Sequence, residues 1–387
     1  MAQAPRSSSA IPPLLKTLNE RTVLETIRAG APISRAEISR RAGISKPTVS
    51  LALQSLVEGG LVREADHDPD GPSYGAVFFE PVQEAALVLG VDLGARFVRG
   101  SICDLGGTVR ARQDLELPRT DADVALDAIS TLRSSLIEAT GLPSHLVDVA
   151  VVGVPGVVDD GGRLHLTHFK SLEGRELRSE LHQRLETTVL LDNDINFAAL
   201  GEQSRGVARG VDDFAFLSVG TGLGIGLVLD GELHRGLHGA AGELDYALLG
   251  FGVELDPSAE GVSTLAAKLA AGADTSLSLP FDARDTFAEA RRGDDVACRV
   301  VAEVARRIAL HIAPLAAVAD VGLVVLGGGI GANGDLLLAP IRTLLASWLP
   351  FPPRLEVSSL GDAAVLSGAL AVGLRTTLDS VFVKRRS

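Results

Sequence analysis

The sequence is poor in cysteine and in aromatic residues, and it lacks any long apolar run. Its 387 residues include two cysteines, Cys103 and Cys298. Two distant thiols are too few for a disulfide framework or for a cysteine-based zinc site. Aromatic residues make up 4% of the chain and hydrophobic residues 46%, so the cores must be built from Ala, Val, Leu and Ile. No apolar stretch approaches the roughly 20 residues that a membrane helix requires.

The N-terminal part of the chain differs from the rest in charge. The formal net charge is −13, yet residues 1–63 carry nine Lys or Arg and four Asp or Glu. An acidic body repels nucleic acid, so any DNA contact is predicted to lie in the basic N-terminal part. Met1–Pro13 has no apolar signal core and is predicted to be a disordered tail of a cytoplasmic protein. At this length, two or three domains are expected.

The segment after this tail carries the start and stop signals of three short helices. A first helix is predicted over Leu15–Arg28, where the apolar residues recur with a helical period. A capping box, Ser34–Glu37, begins a second helix that runs through Ala42. Ser45 caps a third helix, which runs to about Glu58. This spacing predicts a helix-turn-helix.

The third predicted helix has one apolar face and one polar face. Val49, Leu53, Leu56 and Val57 form the apolar stripe. The short polar groups opposite suit base edges and phosphates of a major groove, and two arginines end the preceding helix. The predicted DNA-contacting residues are Arg40, Arg41, Ser45, Lys46, Pro47, Thr48, Ser50 and Gln54. With wing strands at Leu61–Arg63 and Val77–Phe79, residues 14–81 are predicted to form a winged helix-turn-helix; an ordinary three-helix bundle without DNA function is the alternative.

The remainder of the chain contains the same pattern of strands twice. Strands are predicted at Ala86–Gly94, Phe97–Cys103 and Thr108–Leu115. About 125 residues later come the strands Phe214–Val219, Leu227–Leu229 and Glu232–Arg235, with a glycine loop at Gly220–Gly226 after the first of them. The repeat predicts an internal duplication with a cleft between the halves. Such loops can present backbone N–H groups to a phosphate, although many are only tight turns. Strands and helices alternate elsewhere, which predicts an α/β body with mixed sheets.

Polar residues stand where ligands bind in α/β folds, at the ends of predicted strands. Asn193 and Asp194 lie at a strand-to-helix junction. A carboxylate there could accept a proton from a sugar hydroxyl, but either side chain could equally cap the following helix. Gly156 lies in a tight loop after another strand, and Glu243 follows the second hairpin. Glu243 is a candidate acceptor for sugar hydroxyls.

Several motifs occur together along the chain: Asp92–Gly94, Gly153–Gly156, Asn193–Asn196, Gly220–Gly226, Gly239–Glu243 and Gly327–Gly329. Their order resembles that found in the ROK family of sugar kinases and sugar-responsive transcription factors. The resemblance implies an actin-like (ribonuclease H-like), two-lobed ATPase body that binds sugar between its lobes, and dimers or higher oligomers. We assign the lobes to residues 82–190 plus 362–387 and to residues 191–361. The vestigial nucleotide-binding residues it implies are Asp92, Gly94, Gly220, Thr221, Gly222 and Gly328.

The departures from the family pattern decide which branch the chain resembles. Arg96 and Phe97 stand where the kinases have polar residues after the first Asp-x-Gly. Asp245 and Tyr246 replace the usual Gly-His pair, and residues 247–261 contain no cysteine. We therefore expect no zinc and weak or absent kinase activity. The effector-binding residues implied are Gly156, His168, Asn193, Asp194, Glu243 and Tyr246.

With its N-terminal head, the chain resembles the regulator branch of this family. The expected function is that of a cytoplasmic, homodimeric repressor that binds a double-stranded DNA operator and senses a sugar or a sugar-derived effector, with no cofactor and no membrane contact. One alternative is an ATP-dependent sugar kinase with an appended head, in which Asp194 is the general base and Mg-ATP is required. Another is a body that has lost every ligand and serves only for dimerisation.

Overall fold

The computed structural model describes residues 13–65, 76–167, 169–244 and 255–384. Within them lie a small N-terminal unit with a three-stranded sheet and a body with two five-stranded sheets. We call the N-terminal unit the head and the two halves of the body the first and second lobes. Among the described residues, no helix combines the length and the apolar character needed to cross a bilayer.

The head consists of three helices and a small antiparallel sheet. Its elements are α1 (Pro13–Gly30), β1 (Ile33–Ser34), α2 (Arg35–Ala42), α3 (Lys46–Glu58), β2 (Val62–Glu64) and β3 (Phe78–Pro81). Ser34 accepts a hydrogen bond from the Glu37 backbone N–H at 3.3 Å, and Ser45 caps α3 in the same way through Thr48. Gly43 ends α2 with a φ of 66°, a conformation that glycine adopts without strain. These bounds confirm the three predicted helices and add the strand β1.

Two predictions about the head need correction. Val57 is 42% exposed and does not belong to the core; Ala52, one helical turn from Leu56, is buried in its place. Pro13, assigned to the disordered tail, begins α1. The rest of that tail lies outside the described residues, as does the segment 66–75 between the two wing strands.

The first lobe is built on a sheet of order β10-β7-β4-β5-β6. Its elements are β4 (Leu87–Leu93), β5 (Phe97–Asp104), β6 (Val109–Glu116), α4 (Ala122–Thr140), β7 (Val147–Val154), β8 (Val157–Val158), β9 (Leu164–His165), α5 (Leu177–Leu185) and β10 (Thr188–Asn193). The predicted boundary at 190/191 falls inside β10, which pairs in parallel with β7 as far as Asn193. The first-lobe sheet therefore continues three residues beyond that boundary.

The second lobe repeats this strand order. Its elements are α6 (Asp194–Arg205), β11 (Phe214–Val219), β12 (Leu223–Leu229), β13 (Glu232–Leu233), α7 (Ala259–Ala270), α8 (Ala283–Arg292), α9 (Asp295–Ala319), β14 (Leu323–Gly327), α10 (Gly328–Gly331), α11 (Gly334–Trp348) and β15 (Arg354–Val357), followed by α12 (Ala364–Lys384). The order β13-β12-β11-β14-β15 matches β6-β5-β4-β7-β10 strand for strand. The predicted duplication is therefore present in the topology.

The predicted glycine loop is shorter than the sequence indicates. It ends at Gly222, because β12 begins at Leu223 and pairs with β11 along its length. Gly226 lies inside the strand, where a Cβ would come within 2.7 Å of both Ala199 Cβ and the Ile195 carbonyl oxygen of α6. This glycine serves the close packing of helix on sheet rather than a ligand.

The helices α6 and α12 join the lobes where they cross. Ala198 and Ala199 of α6 pack in one cluster with Phe214 and Phe216 of the second-lobe sheet. On the first-lobe side, α12 packs against β4 and β7 in a separate cluster. The two helices meet at Gly201 and Gly368, whose missing side chains allow the backbones to touch.

Gly368→Ala is therefore expected to lower the free energy of unfolding by about 3 kcal/mol, because overpacking at a contact that cannot relax has costs of this size. The new Cβ would collide with the Phe197 carbonyl oxygen and lie 2.8 Å from the Gly201 nitrogen. Urea unfolding followed by circular dichroism measures the change. Gly322→Ala is the matched control, since no heavy atom of the described chain lies within 4 Å of its Cβ position. Equal stability of the two variants would contradict the prediction.

The head and the body share one apolar core. Leu24 and Ile27 of α1 belong to the same cluster as Leu105, in the turn after β5, and Leu378 of α12. All four side chains are almost fully buried. The head is therefore packed against the first lobe rather than tethered to it.

Candidate functional site

The outer face of α3 presents the predicted DNA-contacting residues. Ser45, Lys46, Pro47 and Gln54 are exposed, and Thr48 and Ser50 are half-buried. Several of these polar groups are already bonded within the helix. Ser45 Oγ and Thr48 Oγ1 lie 2.8 Å apart, Ser50 Oγ donates to the Lys46 carbonyl at 2.9 Å, and Gln54 Nε2 donates to Glu58 at 2.9 Å. The face is ordered by its own hydrogen bonds.

Glu37 organises the two arginines that end α2. Its carboxylate accepts from Arg40 Nε at 2.7 Å and from Arg41 Nε at 2.6 Å. These bonds, first that from Arg40, lower the pKa of Glu37 to about 2. Ser34 caps α2 as predicted, but the Glu37 side chain turns to the arginines instead of completing the capping box. Both guanidinium groups are thereby held at the end of α2 beside α3.

A cleft of about 730 Å³ separates the lobes. The predicted residues that line it are Asp92, Gly94, Gly156, Asn193, Asp194, Gly220, Thr221, Gly222, Glu243 and Gly328. His168 and Tyr246 lie outside the described residues. The structure therefore gathers the predicted effector and nucleotide residues that it describes into one cavity.

Asn193 has the capping role that the sequence allows for it. Its Oδ1 accepts from the Ile195 backbone N–H at 2.8 Å and so caps α6. Its Nδ2 donates to the Gly156 carbonyl at 3.1 Å and to Glu243 Oε1 at 3.2 Å. A single buried amide thus fixes the start of α6, the loop after β7 and the carboxylate that follows β13.

Asp194 occupies the first position of α6 and faces two further carboxylates. Burial, the Asp92 charge and the Glu243 charge raise the pKa of Asp194 to about 8, against the opposing hydrogen bond from the Ile195 N–H. Desolvation is the largest of these causes, because a carboxylate removed from water loses its hydration. Near neutral pH this carboxyl group is predominantly protonated.

Replacing Asp194 with asparagine is expected to raise the melting temperature by several degrees at pH 8, and by much less at pH 5.5. A carboxyl whose pKa is about 8 in the folded state and ordinary in the unfolded chain destabilises the fold progressively as the pH rises between those two values. The variant lacks this penalty. Thermal unfolding between pH 5.5 and 8.5 tests the difference, with Asp274→Asn, an exposed carboxylate, as control. A rise in melting temperature that does not grow with pH would contradict the raised pKa of Asp194.

Charged side chains of the first hairpin of the body pair with one another. Arg99 Nη1 lies 3.1 Å from Asp92 Oδ2, and Arg96 pairs with Glu116 at 3.0 Å. Both guanidinium groups flank the Phe97 ring, at 5.3 and 5.5 Å from its centroid. Burial raises the pKa of Asp92 to about 6, although Arg99 opposes the shift. The Gly94 N–H is also occupied, since it donates to the Phe97 carbonyl at 2.9 Å.

The opposite wall of the cleft contains residues that the sequence did not reveal. Arg284, Phe287 and Arg291 reach it from α8, and Asn333 from the turn before α11. Arg291 is bound to Asp335 at 2.7 and 2.8 Å and to Asn333 at 2.8 Å. The cap Asp282 and the terminal Gly293 could have predicted the helix, but no sequence signal places it beside the glycine turns.

Over residues 13–65, 76–167, 169–244 and 255–384, no three His, Cys, Asp or Glu side chains form a cluster that could hold a metal ion. Of residues 247–261, where the resemblance would place the cysteine ligands of a zinc site, residues 247–254 lie outside these ranges.

The fold and the cleft can be compared with known proteins. The model of the ROK family matches residues 88–375, and that of the MarR family matches residues 17–71. The chain belongs to the ROK family. This match confirms the resemblance drawn from the glycine-rich motifs and the acidic cleft residues, and with it the actin-like body and the winged head.

Members of this family similar to the chain include both regulators and kinases. A xylose repressor of Caldicellulosiruptor bescii is 26% identical over 383 residues, which cover 93% of this chain and 96% of that protein. The crystal structure of a ROK family transcriptional regulator, a homologue of the E. coli MLC protein, aligns with a TM-score of 0.78 at 22% identity over 96% and 98% of the two chains. The crystal structure of a ROK family glucokinase from Streptomyces griseus in complex with glucose and AMPPNP aligns with a TM-score of 0.65 at 26% identity. The alignment covers 75% of this chain and 100% of the glucokinase.

Proposed function

We propose that the protein is a transcriptional repressor whose ROK body binds a sugar and thereby controls operator binding by the head. The observation that carries this proposal is the winged head packed into one core with a two-lobed, cleft-containing body. Similarity to a xylose repressor over 93% of the chain supports it. A protein of this kind acts on chromosomal DNA in the cytoplasm.

In this proposal α3 enters the major groove of the operator. Lys46, Thr48, Ser50 and Gln54 face base edges and phosphates, and Arg40 and Arg41 contact the backbone. The Glu37 carboxylate holds both arginines in place until phosphates compete for them. A homodimer would present two such helices to half-sites about one helical turn apart, or a multiple of it.

The effector in this proposal is a neutral sugar held by hydrogen bonds at the start of α6. Asn193, Asp194 and Glu243 offer an amide, a largely protonated carboxyl group and a carboxylate within one cavity, which can match alternating hydroxyl donors and acceptors. His168 and Tyr246 remain proposed contacts. D-xylose is the first candidate because a repressor named for it is similar over nearly the whole chain, and D-glucose is the second because a similar kinase binds it.

We further propose that the body senses sugar without phosphorylating it. The residues do not fit Mg-ATP well, because Arg99 neutralises Asp92 and the Gly94 N–H is used within its own hairpin. The kinase alternative is supported by Asp194, whose raised pKa suits a general base. A coupled ADP-release assay with D-xylose and D-glucose distinguishes the two. Turnover that Asp194→Asn abolishes would establish the kinase and overturn the sensor.

The test of the proposed function is selection of an operator followed by titration with sugars. Fragmented genomic DNA is captured on the protein, and a recovered duplex is labelled for fluorescence anisotropy. We expect a specific duplex to bind at nanomolar to tens of nanomolar concentration, and one sugar of a panel both to raise the melting temperature and to release the duplex. Failure to retain any duplex would exclude the proposal. If the duplex is retained but no sugar alters its binding, the protein is a regulator whose body serves only for dimerisation.

A further inference from the structure

The helix that begins at the cleft ends at the junction with the head. The first residue of α6 is Asp194, which lines the cleft, and the last is Arg205. The exposed Arg205 side chain crosses to the first lobe, where its Nη2 donates to the Gly107 carbonyl at 3.1 Å. Gly107 lies in the turn between β5 and β6. One helix therefore contacts the cleft at one end and the other lobe at its other end.

One face of α6 packs on the second lobe and the other face on the first. Ala198 and Ala199 pack with the sheet formed by β11, β12 and β14. The opposite face, with Phe197 and Leu200, lies against α12 of the first lobe. A movement of the lobes that carries α6 with the second lobe displaces it relative to α12 and to Gly107.

The contact between Gly201 and Gly368 divides α6 into two arms of different length. At a rise of 1.5 Å per residue, the arm from Asp194 to Gly201 is about 10 Å long and that from Gly201 to Arg205 about 6 Å. The backbone contact at the two glycines leaves no space for sliding there. A displacement at the cleft is therefore expected to appear at Arg205 in the opposite direction and at about half its size.

Arg205 meets the head at the turn that contains Gly107. A Cβ atom placed on Gly107 would lie within 4 Å of a guanidinium nitrogen of Arg205 and of one of Arg28, which belongs to α1 of the head. Asp104, fully buried and bonded to Arg110 and to the Thr108 N–H, provides the negative charge nearby. The pKa of Arg28 is lowered, mainly by burial and in smaller part by the Arg205 charge, against raising contributions that include Asp104.

We propose that Arg205 transmits lobe movement to the DNA-binding head. When the lobes move, Arg205 and its hydrogen bond to the Gly107 carbonyl shift beneath Arg28, a residue of the same charge near the end of α1. This inference rests on the proposed function, because it concerns how an occupied cleft alters operator binding. A charge that moves close to a partly buried group of the same sign changes their interaction more than it would in bulk water. Coupling free energies between two sites of a protein correspond to about 5- to 150-fold changes in affinity.

The test is a double-mutant cycle on operator affinity that requires no known effector. Gly226→Ala places a methyl group 2.7 Å from Ala199 Cβ and the Ile195 carbonyl oxygen, which forces α6 away from β12. The labelled duplex recovered from genomic DNA is titrated with the wild type, Gly226→Ala, Arg205→Ala and the double variant. We expect Gly226→Ala to change the operator Kd at least about 5-fold with Arg205 present and less than about 2-fold without it.

Arg209→Ala is the matched control, since it removes the same charge from an exposed position four residues further along. The control is expected to leave the response to Gly226→Ala intact. If Gly226→Ala does not fold, Ile195→Ala takes its place, because Ile195 packs over Gly224 of β12. An equal response with and without Arg205, or no response in the wild type, would overturn the inference.

A second experiment uses D-xylose and D-glucose. With either sugar that stabilises the wild type, Arg205→Ala should bind the sugar with a Kd within about 2-fold of the wild-type value, yet release the operator at least about 5-fold less effectively. Full release by the variant would refute the role of Arg205. If the wild type binds no DNA, the proposed function itself is wrong. If it binds the operator but the effects of Gly226→Ala and Arg205→Ala on the Kd are additive, only the role of Arg205 is wrong.

Discussion

Lys46→Glu is expected to weaken operator binding about 100-fold, because each head of the proposed dimer then places a like charge against a phosphate. A loss of about 1.4 kcal/mol per head lowers the affinity tenfold, and the effects of the two heads multiply. The fold should not suffer. Lys46 is exposed at the first position of α3, where the helix dipole favours a negative charge, and the first turn of α3 contains no acidic residue.

The measurement is fluorescence anisotropy at several salt concentrations, with thermal unfolding as a check of the fold. Two lost phosphate contacts should lower the slope of log affinity against log salt by about two. Lys268→Glu is the control, an identical charge change at an exposed position on α7 in the body. If both variants lose affinity equally, the effect is one of net charge and α3 is not the recognition element.

Glu243→Gln is expected to weaken sugar binding about 30-fold, because a hydrogen bond to a charged group contributes roughly 1.5–3 kcal/mol. The substitution retains the shape of the side chain and an oxygen that can still accept from Asn193 Nδ2, a bond of 3.2 Å in the wild type. The start of α6 should therefore remain in place. Operator release should require correspondingly more sugar.

Calorimetric titration of D-xylose and D-glucose measures the first effect, and anisotropy with added sugar the second. Glu138→Gln, on the exposed side of α4, is the control. A variant that binds sugar as tightly as the wild type would exclude Glu243 from the site. A variant with normal sugar binding but altered operator affinity would instead place Glu243 in the link between cleft and head.

The parts of the fold that the sequence predicts well are those with local causes. Ser34 and Ser45 begin helices because their side chains satisfy the first free N–H groups. The mainly apolar segment Val147–Val154 forms β7, which is buried at every position except Asp148, as expected for a strand covered on both faces. Repetition of the hairpin plan predicted the duplication and, with it, a cleft between the lobes.

The parts that the sequence misses depend on partners far away in the chain. Gly224 and Gly226 suggest a loop because glycine is common in turns, yet α6, about 30 residues earlier, needs them inside a strand. Arg284 and Arg291 reach the cleft only because α8 packs beside the glycine turns. Arg99 was overlooked because its importance comes from its position across a hairpin from Asp92, which a family pattern centred on residues 92–97 does not show.

The common core of α1, Leu105 and Leu378 limits how this protein could be recombined with its relatives. A head transplanted onto another body would leave apolar surface uncovered on both parts unless the turn after β5 and the end of α12 were transferred with it. Successful exchange of DNA specificity within the family should therefore involve the exposed face of α3 alone, with the scaffold beneath it unchanged. New operators would then arise by surface substitution and not by domain shuffling.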